Sequence, residues 1–164
     1  MDIRATQLKE HVFYELDMLR YTHGALVQIE RSLAKDPDAL SRVDRRIINA
    51  LVEAFCIHAR NLDEFFQGTG LTDTLSSDTF ADDQYRPRLS DEERKRLKTI
   101  INRHITPLTE HRTSEPRENI GSEDRTRLYG LLVDEADHFT RHLLRELQPA
   151  WDYVPSAQPS SGID

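Results

Sequence analysis

Apolar residues recur three and four positions apart along four stretches of the chain, the spacing that lays them on one side of a helix. The first stripe is Leu8, Val12, Leu16, Leu19, His23, Leu26, Ile29 and Leu33, and it predicts a helix from about residue 3 to 34. "KDPDALS" interrupts it, because Asp36 can cap and Pro37 fits a first turn but not a helix interior. A second helix restarts between Pro37 and Asp44. Its stripe is Val43, Ile47, Leu51, Phe55, His58, Leu62 and Phe65, widened by Ala54 and Phe66, and Gly68 and Gly70 supply a stop near Gln67.

From Gly68 to Leu89 no period is sustained, and the segment is rich in Gly, Ser, Thr and Asp. A connection of this length in a compact domain tends to be functional or disordered, so a lid is one expectation. Ser90 and Glu93 then fit a capping box that starts a third helix carrying Leu97, Ile100, Ile101 and Ile105, with Pro107 bending or ending it. "TSEPRENIGSEDR" reads as polar linker. A fourth helix opens near Ser122 and repeats Leu128, Leu131, Leu132, Glu135, Phe139, Leu143 and Leu147, ending before Pro149. No alternating run long enough for a strand occurs. The expected fold is all-α: an antiparallel four-helix bundle with a long loop between helices 2 and 3, every stripe turned inward. One domain over residues 1–153 and a mobile tail over 154–164 complete the reading.

Composition narrows the classes. At 164 residues the chain has the size of one ordinary domain, and its single cysteine, Cys56, forms no internal disulfide. That cysteine count and the absence of a basic start followed by an apolar run point to the cytoplasm, and no stretch reaches the roughly 20 apolar residues of a membrane span. A net charge of −7 argues against whole-surface attraction to nucleic acid. The balance is local, however: residues 86–112 carry eight Lys and Arg against four Asp and Glu.

Chemistry concentrates in two places. In "EAFCIHARNLDEFF", residues 53–66, Ala54, His58, Asn61 and Phe65 share one helix side. His58 and Asn61 thus face inward or line the rim of the core, either fixing the packing by hydrogen bonds to a facing helix or bordering a cleft. Arg60 lies about 200° round the helix from His58 and reaches a neighbouring helix or solvent. In "IINRHITPLTEHR", residues 100–112, Asn102, Arg103, His104, Thr106, Thr109, His111 and Arg112 gather where the helix falters. They form either a solvated helix end or a set of donors for an anion such as phosphate. Cys56, beside Phe55, reads as an inert core thiol.

"HVFYELDML" (11–19), "AFCIHARNLDEFF" (54–66) and "INRHITPLTEHR" (101–112) together resemble an uncharacterised bacterial family of small helical proteins, and more loosely the HEPN superfamily. The HEPN resemblance implies a helical bundle that binds or cleaves RNA, with Arg gripping phosphate and His as the acid-base group. The chain departs from that pattern. After Arg103 the positions expected to hold the histidine are Leu108, Thr109 and Glu110, His111 falls one residue beyond, and Pro107 stands where the relatives carry His. Only Arg4 and His11 keep the spacing. The resulting expectation is a binding or interaction protein, a degenerate relative of RNA-cleaving toxin or defence proteins, with RNA or a nucleotide, a second copy or another protein as partner and no cofactor. Arg60, Arg103 and Arg112 would meet phosphate, while His58, Asn61 and Asn102 shape the pocket.

A different class competes. His138 and His142, four apart on helix 4, have the spacing of two metal ligands, and with His58 they would resemble the site of a DinB-like or hemerythrin-like bundle. The plain reading of the pair is two surface histidines near Asp134 and Asp137.

Overall fold

The computed structural model describes residues 2–36, 45–68, 75–105 and 120–153, excepting the side chains of 103–105. The break at Pro37, the stop at Gly70, the bend at Pro107, most of the polar linker, Arg112 and the tail from 154 lie outside the described residues.

The first predicted helix is continuous from residue 3 to 35 but not uniform. An α-helical turn, α1 (Ile3–Gln7), leads into a π-helical turn (Leu8–Phe13) and then α2 (Tyr14–Lys35). The wide turn buries Leu8 and Val12 and sets the Phe13 ring edge-on to Trp151, centroids 6.3 Å apart. α3 (Arg45–Gln67) follows, and Gly68 ends it with a φ of 60°. A Cβ there would stand 2.9 Å from the Ser76 hydroxyl, so the turn requires glycine twice over. α4 (Asp91–Ile105) starts on the predicted capping box, in which the Ser90 hydroxyl accepts from the Glu93 N–H at 3.3 Å and the Glu93 carboxylate accepts from the Ser90 N–H at 3.2 Å. α5 (Ser122–His142) is the fourth long helix.

α3 is the hub, packing against α2, α4 and α5, while α5 also packs against α2. One apolar core joins them, with Leu16, Leu19, Leu26, Phe55, Leu62, Phe66, Leu132 and Phe139 all but inaccessible to solvent. None of the helices described is long and apolar enough to cross a membrane.

Two expectations fail at one feature. Residues 75–90 are a strap tied into the core rather than an open lid: Phe80, Ala81, Tyr85 and Leu89 are buried, and the Ser77 hydroxyl donates to the Phe66 carbonyl at 2.9 Å. The strap also shortens the last helix. The Asp82 N–H takes the His142 carbonyl at 2.8 Å and the Leu144 N–H takes the Phe80 carbonyl at 2.9 Å, so Ala81 and Leu143 form an isolated antiparallel bridge. Leu143 is therefore extended (ψ 131°), and the stripe continued to Leu147 leaves the helix after His142. Both leucines remain buried, which is why the apolar spacing outran the helix.

Candidate functional site

α3 sends its polar residues to two different neighbours. On the α2 side, Glu15 receives both side chains singled out in the second stripe. His58 Nδ1–H donates to Glu15 Oε2 at 2.6 Å, and Asn61 Nδ2 donates to Glu15 Oε1 at 3.1 Å. His58 is buried, with the Tyr14 ring edge-on at 5.9 Å. The acceptor capacity of one carboxylate is divided between two donors from a facing helix. This is the packing role weighed for His58 and Asn61 from the sequence.

On the α4 side lies a cavity of about 230 Å3, lined by Arg60, Asp63 and Glu64 of α3 and by Lys98, Ile101 and Asn102 of α4. Arg60 Nε donates to Glu64 Oε1 at 2.8 Å, one helical turn on, and its guanidinium stays half exposed. Asp63 is the inner wall. It is 2% exposed, its Oδ1 has no hydrogen-bond partner among the described residues, and Arg94 Nε stands 3.7 Å away. Burial pushes the Asp63 carboxyl above its ordinary range, against the opposing pull of Arg94 and Lys98. Arg94, outside the cavity, offsets part of the Asp63 charge, while Lys98 and Arg60 bring cations to the cavity lining.

Of the residues assigned to the phosphate site, the structure thus joins Arg60 with Asn102 across α3 and α4. His58 and Asn61 belong to the Glu15 cluster on the other flank of α3. Arg103 follows Asn102 in α4, its side chain outside the described residues, as Arg112 is entirely. Asp63, Lys98 and Glu15 were missed. Asp63 carried the same signal as Asn61, a polar residue inside an apolar run, but five positions from His58 it lies about 140° round the helix and so fell outside the site drawn around His58.

The three candidate metal ligands hold separate partners. His58 Nδ1 is committed to Glu15, His138 Nε2–H donates to the Arg86 carbonyl at 3.0 Å, and His142 Nδ1–H donates to Asp82 at 3.1 Å. Among the described residues no group of three or more His, Cys, Asp and Glu side chains is placed to hold a metal ion. The pair on α5 is not a surface pair either. His138 is buried because the strap crosses over it, with the Tyr85 ring 5.3 Å away. Burial, opposed by the Arg86 carbonyl, lowers its pKa. Beneath the same strap, Glu135 is buried and accepts from Tyr85 Oη and the Arg88 N–H, each at 2.8 Å. Cys56 is buried and its thiol pushed up to about 12 by desolvation, so it remains protonated and unreactive at neutral pH.

No family model, curated protein or solved structure matches the chain.

Proposed function

We propose that the chain is a binding module for a phosphate-bearing ligand, a nucleotide or a stretch of RNA, built on an antiparallel four-helix bundle with its site between α3 and α4. One observation carries the reading. The cavity there is lined by Arg60, Lys98 and Asn102 together with the buried Asp63, whose carboxylate faces Arg94 at 3.7 Å. The cations suit phosphate oxygens, and the Asn102 amide in the same lining suits a polar group carried beside them. At about 230 Å3 the space is below the usual range of small-molecule pockets, so it admits the head of a ligand whose remainder lies along the surface. Asn102 falls in the "INRHITPLTEHR" segment and Arg60, Asp63 and Glu64 in the "AFCIHARNLDEFF" segment, which are two of the three stretches behind the HEPN-like resemblance.

Binding, rather than cleavage, fits these residues. Among the described residues no histidine lines the cavity, and His58 points to Glu15 instead. Fluorescence anisotropy with single-stranded RNA and with labelled nucleotides tests the idea. Affinity should fall as salt rises, and Lys98→Ala and Arg60→Ala should each weaken it roughly tenfold, the size of one lost charge-assisted hydrogen bond. Affinity indifferent to salt and to both substitutions rejects the reading.

A further inference from the structure

The strap is held differently along its two halves. Around Phe80 and Asp82 the hold is backbone to backbone, through the Asp82 N–H on the His142 carbonyl and the Leu144 N–H on the Phe80 carbonyl. From Tyr85 to Arg88 the polar ties that leave the strap, among the described residues, run to two side chains of α5. Glu135 Oε1 accepts from Tyr85 Oη, Glu135 Oε2 accepts from the Arg88 N–H, and His138 Nε2–H donates to the Arg86 carbonyl. Glu135 and His138 are one helical turn apart and share a face.

We propose that the Tyr85–Leu89 half of the strap is a latch that acid releases, with a proton on His138 Nδ1 as the trigger and Asp82 as the hinge. A carbonyl only accepts, so the hydrogen of the neutral His138 ring sits on Nε2 and Nδ1 keeps a lone pair. Nδ1 is enclosed and has no hydrogen-bond partner among the described residues. A second proton therefore puts an N–H and a full charge where no acceptor waits. Around the ring, the strap presents Asp82, Tyr85, Arg86 and Arg88, and α5 presents Glu135 and His142. The Arg86 guanidinium is turned back onto the Asp83 and Tyr85 carbonyls, and Asp82 is taken by His142 and by the N–H groups of Gln84 and Tyr85. Arg88 and His142 oppose a charge on His138, and Glu135 attracts it. Both oxygens of Glu135, however, already hold the strap. A charged ring that reaches for Glu135 takes it from Tyr85 or Arg88, and one that does not stays buried without a partner, so in either case the charged ring favours the open strap and water. His142 acts in the opposite sense. Its Nδ1–H already donates to Asp82, so charging that ring tightens the hinge while the other half lets go. Opening uncovers Glu135, His138 and the Phe139 ring on which Tyr85 packs.

Burial lowers the His138 pKa in the closed strap. Closure is then fully supported above the ordinary histidine value of about 6.5 and weakens as pH falls from there through the closed-state value, by up to about tenfold in the opening equilibrium per pH unit. Amide hydrogen exchange resolved by NMR on the full chain reads the two halves separately. Between about pH 7.5 and 5.5 the protection factor of the Arg88 N–H, corrected for intrinsic exchange, should fall roughly fivefold or more. Those of the Asp82 and Leu144 N–H groups should hold, and the His138 ring should titrate below its ordinary value. His138→Gln keeps a donor for the Arg86 carbonyl but takes no proton, so it should abolish the fall. His142→Asn keeps a donor for Asp82 and should leave the fall in place. The proposal is overturned by Arg88 protection that ignores pH in the native chain, by a fall that survives His138→Gln or vanishes in His142→Asn, or by a His138 ring that titrates at or above the ordinary value. Asp82 protection lost in step with Arg88 also overturns it, since the strap would then come away whole.

Discussion

Glu15 accepts from two side chains that the apolar pattern had turned inward on α3, and the consequence of removing it follows from that sharing. Glu15→Ala leaves the buried His58 ring and the Asn61 amide without their acceptor. The expected cost is about 1–3 kcal/mol, the desolvation penalty of a stranded polar group, read as a lower urea midpoint with unchanged slope. His23 tests the opposite kind of burial. Its ring is stacked on Tyr129, centroids 4.1 Å apart, and burial, with the nearby Arg125 and against Glu30, lowers its pKa. Below the unfolded value near 6.5 the unfolded chain takes a proton that folded His23 refuses. Stability is then fully present above that pH and is lost as pH falls through the window down to the folded pKa. The urea midpoint should drop between neutral pH and mildly acid pH, and His23→Gln should shrink the drop; an equal drop in the variant excludes His23 as the source. Neither partner was visible in advance. A single stripe shows which residues turn inward but not which side chain of another helix will meet them.

At the scale of elements, the helices were legible and the strap was not. Periodicity placed the first helix to within a residue or two, and the Ser90–Glu93 capping box and the Ser122 start fell where expected. These are local signals, read within one turn of the chain. The 75–90 strap has no period because its anchors, Phe80, Tyr85 and Leu89, are spaced to suit a surface made by α3 and α5 and not by any regular geometry of its own. The same nonlocal pairing cut α5 at His142. Candidate chemistry suffered likewise: Arg60 and Asn102 met as a pair, while His58 and Asn61 turned to α2, since which helix lies on which flank of α3 is a property of the whole packing. If the strap is structural, Phe80→Ala, which empties a fully buried aromatic site against Phe65, should cost about 3–5 kcal/mol in urea unfolding. A loss below 1 kcal/mol would mean the segment is a detachable lid.

Across the whole molecule the two ends of the described chain are held by the same aromatic cluster. Trp151 stands edge-on to Phe13 at 6.3 Å and to Phe139 at 5.7 Å, stacks on Tyr153 at 5.5 Å, and donates through Nε1 to the Thr140 hydroxyl at 2.9 Å. Tyr153 in turn lies beneath the Arg20 guanidinium, 4.5 Å from its centroid, and its hydroxyl donates to Asp137; burial and that carboxylate raise its pKa. The chain after α5 thus fastens the π-helical turn and α2 to α5, and it does so where no helical period could announce it. Because Trp151 is the only tryptophan, its fluorescence reports on this junction alone, whereas far-UV circular dichroism reports on all the helices. If the C-terminal segment is integral to the core, the two signals should give coincident urea transitions, as a cooperative unit requires. An earlier fluorescence transition would show the segment releasing before the helices unfold. It would also locate the weakest joint of the molecule at the Phe13–Trp151 contact, where the π-helical turn meets the end of the chain.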